Sequence, residues 1–503
     1  MTVLCYIKNR NLYFGPLYSM LMPLSRLFLF VLMIFLCEGA GIAQEYPILD
    51  NKKIDGYKGA WFTLGQFSEY GDKYSGGLAT YTAKHIPLAI YAPKVEKTFF
   101  VYGGIAENQK SDADKPGYTR KDYGNYLLCM AGCYDHKTQT VSRPTVVYDK
   151  RGVFDPHDNP SLAMDDDGYI WVFVSGRNTG RLGIIYKSRE PYSIDDFERV
   201  VEDEITYPQP KYVSGKGFLH LFTKYTGLRL LYFNTSIDGK KWTDHQLLAA
   251  IKREGDKNGG HYQISGQYGE KIVFFFNWHP NGNVDQRTNI YYLQTTDFGK
   301  TWTKVDGTKV EIPVTDLNSP TLIKEFFTKE ENVYIKDVAF DEKGNPMALY
   351  VSGKGHQPGP QNGPKEWQVL YWNGSEWENH KVTTSDHNYD TGSIWADGDK
   401  WTVVAPTENS PQPWGGGGEV VIWESRDKGK SWERKKQVTT NSPRNHNYVR
   451  KVVDGVDPFM YFWADGNPDK LSESFLYFGD SSGNVYPLPY KMTGNTSKIT
   501  KNK

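Results

Sequence analysis

Short apolar runs alternate with polar turns along almost the whole chain. Three of the turns read Asp-Asp-Asp-Gly at 165–168, Asp-Glu-Lys-Gly at 341–344 and Asp-Gly-Asp at 397–399. Each is flanked on both sides by apolar residues, many of them β-branched or aromatic. Apolar runs of this length bounded by Asp/Gly turns are typical of β-hairpins. The pattern therefore predicts an all-β protein.

One longer turn recurs three times with its Asp, Gly and Trp in phase. It reads Thr-Thr-Asp-Phe-Gly-Lys-Thr-Trp at 295–302, Ser-Arg-Asp-Lys-Gly-Lys-Ser-Trp at 425–432 and, one residue shorter, Ser-Ile-Asp-Gly-Lys-Lys-Trp at 236–242. The Asp and Ser/Thr side chains can bond nearby backbone groups, Gly supplies a positive φ, and Trp fills the space beneath. The turn is similar to the Asp-box found on hairpins of sialidase-like β-propellers. Unrelated Asp-x-Gly turns are the alternative, but they would not each carry the Trp in phase.

The spacing of these turns predicts the number of blades. Asp238 and Asp297 lie 59 residues apart, and Asp297 and Asp427 lie 130 apart, about two such units. Roughly 450 residues at about 60–65 per unit predict a single β-propeller of seven four-stranded blades, with six or eight as alternatives. We expect this domain to span 44–490 and a polar tail to span 491–503. Polar side chains from several blades meet at the ends of a propeller channel, where a site is expected.

The N-terminus has the pattern of an export signal. Arg26 precedes an apolar run at 27–36, and small residues follow. This pattern predicts a cleavable signal peptide at 1–43, with 1–19 as an extension from a misassigned start codon. The run is too short to anchor the chain in a membrane. We therefore expect a periplasmic or secreted protein with no membrane span.

Composition and motifs exclude several classes of function. The chain of 503 residues has 59 basic and 59 acidic residues, so no basic surplus favours a nucleic-acid partner. It has no H-E-x-x-H, no G-x-S-x-G, no P-loop and no Cys-rich metal pattern. We expect no required cofactor and assign no metal ligands, although dispersed histidines such as His279 leave a structural divalent metal open. Cys129 and Cys133 would lie about 13 Å apart in a strand, too far for a disulfide.

Candidate chemistry lies on histidines in loops bounded by Pro or Gly. His157 stands in Asp-Pro-His-Asp-Asn-Pro, His85 in Lys-His-Ile-Pro, His261 in Gly-Gly-His-Tyr-Gln and His446 in Asn-His-Asn-Tyr-Val-Arg. His157 and His85 stand at the entrance of an apolar strand, His261 follows two glycines as in a loop that a ligand approaches, and His446 lies in a polar cluster. A histidine that only packs in a loop is the more common situation, but four in such contexts together suggest a site.

A tyrosine and a lysine form a second candidate pair. Tyr207 and Lys224 are expected to meet at one end of the same hairpin. A Tyr close to a cation can exchange a proton with a shifted pKa. The alternative is a cross-strand aromatic residue beside a Lys that extends to solvent.

Four segments resemble one family of propellers. They are Asn-Pro-Ser at 159–161, Tyr-Pro-Gln-Pro at 207–210, Arg-Thr-Asn-Ile-Tyr-Tyr at 287–292 and Ser-Glu-Ser-Phe-Leu-Tyr-Phe at 472–478. They are similar to the BNR-type seven-bladed propellers, which include ulvan lyases, rhamnose–glucuronate lyases and α-L-rhamnosidases that release rhamnose from glucuronate. The resemblance covers nearly the whole mature chain, and its motifs are more specific to the superfamily than to one activity.

The resemblance implies a lyase that acts on a uronic acid by β-elimination. A base removes the C5 proton, an acid protonates the leaving oxygen at C4, and a cation offsets the carboxylate. It implies His157 and Tyr207 as the base/acid pair and Lys224 or Arg229 as the cation. Lys224 stands where we expect an Arg in many relatives, and a Lys lacks the bidentate fork. Further substrate contacts are expected from side chains in the same segments, namely His261, Tyr262, Arg287, His446 and Arg450.

Three other functions stay open. The rhamnosidase members imply a catalytic histidine on the opposite face, and His85 matches that position. Elimination of water instead of a sugar would make the protein an oligosaccharide dehydratase with the same C5 chemistry. A glycan-binding propeller without catalysis is the third. In every case the expected partner is an oligo- or polysaccharide, with uronic acid linked to rhamnose favoured, and the protein is expected to be a monomer.

Overall fold

Seven antiparallel sheets follow one another around a central channel. The computed structural model describes residues 48–105 and 127–502, apart from 152, 154, 410 and 471. The predicted signal peptide at 1–43 lies outside the described residues. The seven sheets are the blades of a β-propeller, which confirms the predicted fold class.

The strands of each blade, given from the channel outwards, follow the order of the chain. Blade 1 consists of Ala89–Ala92, Lys97–Gly104, Leu128–Asp135, and Thr140–Ser142 with Thr145–Asp149, and blade 2 of Pro160–Met164, Ile170–Val174, Gly183–Ser188 and Phe197–Asp203. Blade 3 consists of Thr206–Val213, Gly217–Lys224, Leu230–Ser236 and Gln246–Ala249. Blade 4 consists of Gln263–Tyr268, Lys271–Trp278, Thr288–Thr295, and Trp302–Thr303 with Lys309–Val310 and Leu322–Lys324. Blade 5 consists of Asn332–Phe340, Pro346–Gly353, Lys365–Trp372 and Trp377–Ser385. Blade 6 consists of Ser393–Asp397, Lys400–Glu408, Glu419–Ser425 and Glu433–Gln437, and blade 7 of Asn445–Lys451, Tyr461–Gly466, Leu476–Gly479 and Val485–Pro487.

The remaining elements are short. Two small hairpins precede blade 1, Phe62–Thr63 with Ser75–Gly76 and Phe67–Ser68 with Gly71–Asp72. Single 3-10 turns occur in the loops at Pro156–Asp158, Pro280–Gly282, Val284–Gln286, Phe327–Lys329 and Pro360–Asn362. No described helix is long and apolar enough to cross a membrane.

The C-terminal segment closes the ring and corrects the predicted polar tail. Thr496–Lys498 pairs antiparallel with Thr140–Ser142 on the outer edge of blade 1. Met492 and Ile499 are buried in the core that blade 1 shares with its neighbours. The pairing satisfies the open edge of blade 1 and buries two apolar side chains, so this end of the chain is ordered although it is rich in polar residues.

Blades are held together by apolar side chains that face each other between adjacent sheets. All five residues of Ile170–Val174 are buried, and the ring of Trp171 in blade 2 lies 5.0 Å from that of Phe218 in blade 3. Because each blade is covered on both faces, its strands read as apolar runs with little alternation. Cys129 and Cys133 are buried free thiols in one strand of blade 1.

The direction of the strands defines two faces. The first strand of each blade begins on one face, and the loops between second and third strands return to it; we call this the entry face. The three Asp-box turns join third and fourth strands in blades 3, 4 and 6 and so lie on the other face. A cavity of about 840 Å³ along the channel is lined by the later halves of the first strands, on the side away from the entry face.

Candidate functional site

His157 lies in the loop that leads into the first strand of blade 2. Its backbone N–H donates to Asp155 Oδ1 at 3.0 Å, and its ring Nδ1 donates to the same oxygen at 2.5 Å. Arg181 Nη2 donates to the other oxygen of Asp155 at 2.7 Å. Burial alone would raise the pKa of Asp155, but His157 and Arg181 hold this pKa well below the ordinary carboxyl value. Because the ionised Asp155 accepts from Nδ1, Nε2 is the ring nitrogen of His157 that faces away from this carboxylate.

Tyr207 stacks against His157. The two rings are 5.2 Å apart with an interplanar angle of 29°. Tyr207 has φ 55° at a bulge between Thr206 and Gln209, and this takes its side chain out of the regular ladder. Burial raises the pKa of Tyr207 well above its ordinary value, and the phenols of Tyr225 and Tyr262 raise it further. Tyr207 is therefore a protonated donor that stacks on His157.

Three phenols form a row that begins at Tyr207. Tyr225 Oη donates to Tyr207 Oη at 3.4 Å, and Tyr225 and Tyr262 share a hydrogen bond of 2.9 Å. Burial by itself would raise the pKa of Tyr262, but the guanidinium groups of Arg229 and Arg287 hold it below the ordinary value. The pKa values thus shift in opposite directions at the two ends of the row, and the end beside His157 keeps its proton.

Two arginines flank the middle of this row. The Cζ atoms of Arg177 and Arg229 lie 5.7 and 5.9 Å from the centre of the Tyr225 ring. Arg177 also pairs with Asp155 at 3.3 Å. Arg229 donates to the carbonyl of Gly282 at 2.8 Å, and no ion pair ties it to any described carboxylate. Arg229 therefore keeps most of its donors for a ligand.

Lys224 has other partners than the predicted one. Its Nζ lies 3.2 Å from Glu204 Oε2 and 5.2 Å from the centre of the Tyr232 ring. Lys224 ends the second strand of blade 3 on the entry face, but its charge is matched by a carboxylate. Lys224 is thus less free than Arg229 to neutralise a bound acid.

His85 lies on the same face as Tyr207, not on the opposite face implied for a rhamnosidase. Its ring is 5.2 Å from that of Tyr207, and its Nε2 bonds the carbonyl of His157 at 3.1 Å. The chain crosses the entry face before it enters blade 1, which explains this position. His85 is fully buried, and burial lowers its pKa to about 3, so it is neutral. Its geometry is that of a support for the other two rings.

Two further predicted histidines bond the protein with both ring nitrogens. His261 Nδ1 bonds the carbonyl of Asn277 at 2.9 Å, and its Nε2 accepts from the N–H of Ile251 at 2.9 Å. His446 Nδ1 accepts from Trp463 Nε1 at 3.0 Å, and its Nε2 bonds Ser442 Oγ at 2.9 Å. Burial lowers the two pKa values, to about 4 and about 3. A ligand could reach these nitrogens only by breaking an internal bond, so the geometry gives both residues a structural role.

Tyr262, Arg287 and Arg450 lie towards the channel. The Cζ of Arg287 is 4.8 Å from the Tyr262 ring centre, and its Nη2 donates to Tyr389 Oη at 2.7 Å. Arg450 Nη1 donates to the backbone carbonyl of Lys336 at 2.9 Å. This part of the face is one ring away from Tyr207, because the Tyr207 and Tyr262 rings are 5.4 Å apart.

Several residues of the site were not predicted. Asp155 bonds His157 and is itself paired with Arg181. Tyr225 and Lys84 contact Tyr262. Lys336 shares the Tyr334 ring with Arg287, and Tyr389 accepts a hydrogen bond from Arg287. Only Asp155 carried a local signal, since it stands two residues before His157 at the start of the Asp-Pro-His turn. Among the described residues there is no group of three or more His, Cys, Asp or Glu placed to hold a metal. The expectation that no cofactor is required stays a prediction.

Comparison with known proteins links this geometry to one group. The family described as BNR repeat-containing family members matches residues 129–385, just over half of the chain, and this range includes His157, Tyr207 and Arg287. The PL25 ulvan lyase of Pseudoalteromonas sp. (strain PLSV) is 25% identical over an alignment of 256 residues that covers 44% of this chain and 52% of that protein. An ulvan lyase of Nonlabens ulvanivorans is 22% identical over an alignment of 370 residues that covers 63% of this chain and 76% of that protein.

A solved structure shows the same fold. A PL25 ulvan lyase superposes with a TM-score of 0.64 at 17% identity, covering 85% of this chain and 94% of the other. The same protein has also been solved with -[GlcA(1-4)Rha3S]- bound. The matched region spans about half the length of the first of the curated relatives.

Proposed function

The chain belongs to the BNR repeat-containing family, and from this premise we propose that it is a polysaccharide lyase that cleaves ulvan-type glycans at a uronic acid linked to rhamnose. One observation carries the proposal: a histidine, oriented by a buried carboxylate, stacks on a protonated tyrosine beside an arginine that has no ion pair among the described residues. Sequence similarity to ulvan lyases from two organisms, at 25% and 22% identity, supports it.

In the proposed reaction, His157 Nε2 removes the proton from C5 of the uronic acid. The electron pair of the C5–H bond becomes the C4=C5 double bond, and the bond from C4 to the glycosidic oxygen breaks. Tyr207 Oη donates its proton to that oxygen. The products are a chain that ends in an unsaturated uronate and a second chain with a free hydroxyl. A base and an acid of opposite starting protonation are what this elimination requires, and each such group contributes about 10²–10⁴ in rate.

We assign the neutralisation of the uronate carboxylate to Arg229. A carboxylate that keeps its full charge would oppose formation of a carbanion at C5, and a cation placed against it lowers this barrier. Arg229 lies over Tyr225, whose hydroxyl contacts Tyr207, and its planar fork suits a carboxylate. Lys224 is already paired with Glu204.

Product analysis tests the proposal. The purified protein is incubated with ulvan and with glucuronate–rhamnose oligosaccharides, with and without sulfate. We expect the ultraviolet absorbance of an unsaturated uronate to appear together with shorter chains. Water loss without chain cleavage would indicate a dehydratase, and free rhamnose without a double bond would indicate a rhamnosidase. Saturable binding with no product would leave a glycan-binding propeller.

The His157→Ala variant assigns the reaction to this face. Removal of the base should lower kcat by about 10³ or more, because a positioned base is lost while the fold is kept. His380→Gln is the matched control, since His380 lies on the outermost strand of blade 5 and bonds Glu378. Equal activity in His157→Ala and the wild-type protein would move the active site elsewhere.

We also propose that the protein works outside the cytoplasm as a monomer. A polysaccharide cannot enter a cell intact, and the predicted signal peptide at 1–43 would export the enzyme. N-terminal sequencing of the protein recovered from the periplasm or the medium tests cleavage after residue 43. Size-exclusion chromatography with light scattering tests the oligomeric state.

A further inference from the structure

Four buried cationic side chains lie together at the entry-face end of the channel, and one of them, Arg450, also lines the cavity on the other side. They come from four different parts of the ring and are 2–4% exposed: Lys84, Arg287, Lys336 and Arg450. We call them the central cation cluster. Burial of one unpaired charge is already unfavourable, and four in one place add their mutual repulsion. Their presence calls for a physical reason.

Direct contacts show that the four belong to one cluster. The Cζ of Arg287 and the Nζ of Lys336 face the same Tyr334 ring, at 4.6 and 5.6 Å from its centre. Arg450 donates to the carbonyl of Lys336. Burial lowers the pKa of Lys84 well below its ordinary value, and Arg287, Lys336 and Arg450 lower it further. Burial lowers the pKa of Lys336 well below its ordinary value too, and Arg287 and Arg450 lower it further. The positive charge of the cluster therefore rests on its two arginines.

The protein does not itself neutralise this charge. Other cations of the entry face have carboxylate partners, as Lys73 does with Asp285, but in the described part of the chain no carboxylate lies within 4.0 Å of any of the four. Asp390 is the acid that acts on Lys336, and burial raises its pKa well above the ordinary value. Whether that pair is doubly charged or doubly neutral, it contributes no net charge.

Two guanidinium groups consequently stay unmatched. Arginines keep their charge in proteins, so Arg287 and Arg450 leave a surplus of at least two positive charges. Arg450 has a second deficit, because its Nε and Nη2 are buried and have no acceptor among the described residues. Buried donors without acceptors, next to unpaired charge, are a feature of sites completed by a bound anion.

We propose that the central cation cluster binds a second acidic group of the glycan, carried by a sugar next to the one that is cleaved. The shared chemistry is that of an oxyanion, a sulfate ester or a carboxylate. The cluster lies one aromatic ring from the proposed acid, since Lys84 Nζ and Arg287 Cζ are 5.5 and 4.8 Å from the centre of Tyr262. Binding there would fix the position of the reacting uronate, a use of remote binding energy. This inference rests on the proposed lyase function for the identity of the ligand.

Binding of inorganic sulfate tests the cluster independently of catalysis. Calorimetry at constant ionic strength, with chloride as the replaced anion, compares the wild-type protein with Lys84→Met and Arg450→Met. We expect both variants to bind sulfate at least about tenfold more weakly, because each removes one charge-assisted contact. Lys211→Met is the matched control, since Lys211 is a buried lysine, 8% exposed, that faces Lys451 and Asp337 instead of the central cation cluster. It should bind sulfate as the wild type does.

Thermal unfolding separates a ligand site from a structural one. Without an anion, removal of an unpaired buried charge should leave Tm unchanged or raise it, whereas a cation needed for folding would lower it. Sulfate should raise the Tm of the wild-type protein more than that of either variant. Equal sulfate affinity in the wild type and both variants, or no sulfate binding at all, would overturn the site.

Activity on modified glycans identifies the acidic group. If the occupant is a sulfate ester, Lys84→Met should lower kcat/KM about tenfold on sulfated ulvan and have no effect on the desulfated polymer. If it is a carboxylate, the loss should be equal on both polymers. A normal kcat/KM on both would again overturn the site even if lyase products form, in which case the proposed function stands. Sulfate binding without any product would instead keep the site and reject the lyase.

Discussion

The two faces of the propeller satisfy their polar groups in opposite ways. On the Asp-box face, each turn is complete in itself: Asp297 accepts from the backbone and side chain of Thr301 and from the side chain of Thr295, at 2.7–2.9 Å. On the entry face, His157, Tyr207 and Tyr262 lie on three different blades and interact through their rings and hydroxyls. The first face is built from local bonds and the second from contacts between blades.

The difference shows which face of this fold is suited to proton transfer. The Asp-box carboxylates accept hydrogen bonds within their own turns, so their pKa values fall below the ordinary value, as that of Asp297 does in spite of some burial. On the entry face, buried groups shift in both directions within a few ångströms: the pKa of Tyr207 is raised and that of Asp155 is lowered. Such opposed shifts mark sites of proton transfer.

The largest expected effect on this contrast comes from Tyr207→Phe. The variant keeps the buried ring and loses only the hydroxyl, so kcat should fall by about 10²–10⁴ while the protein stays folded. Initial rates of double-bond formation and a thermal melt measure the two effects. Tyr212→Phe is the matched control, because Tyr212 lies on the same strand and its hydroxyl bonds Asp166. If Tyr207→Phe retained wild-type kcat, another group would have to protonate the leaving oxygen.

A smaller effect separates Arg229 from Lys224. Arg229→Met should lower kcat/KM about 100-fold, since the uronate carboxylate loses its partner. Lys224→Met should change it less than about fivefold, because Lys224 is paired with Glu204 and is not free to bind the carboxylate. Both constants are measured on one uronate-containing oligosaccharide. The reverse order of effects would return the role to Lys224, while equal wild-type values would leave the carboxylate to other cations.

The contrast between the faces also explains what could be predicted. The hairpin turns at 165–168, 341–344 and 397–399 and the seven-bladed propeller were predicted, and the structure confirms them. All of these depend on partners within a few residues in the chain or on regular spacing. His157 and Tyr207 were chosen from their loops and do come together.

Long-range partners could not be predicted in this way. The Gly and Asn residues around His261 and His446 resemble open binding loops. In the structure, however, a ring nitrogen of His261 bonds Asn277 and a ring nitrogen of His446 bonds Trp463, each on a neighbouring strand. The central cation cluster draws one residue each from before blade 1 and from blades 4, 5 and 7, and no sequence spacing relates them. The strand in the polar C-terminal segment could not be predicted, because the strand that it pairs with lies about 350 residues earlier in the chain.

The smallest expected effect is on stability, and it comes from a substitution on the Asp-box face. It tests whether the bonds of that face are independent of the entry face. Asp297→Ala removes one carboxylate that holds a turn, and it should lower the free energy of unfolding by about 1.5–3 kcal/mol, the range for hydrogen bonds to a charged group. Because the turn lies away from the entry face, kcat and KM should not change. Denaturant unfolding and steady-state kinetics on the same preparation measure both. Loss of activity without loss of stability would mean that the two faces are coupled, contrary to the locality of the bonds around Asp297.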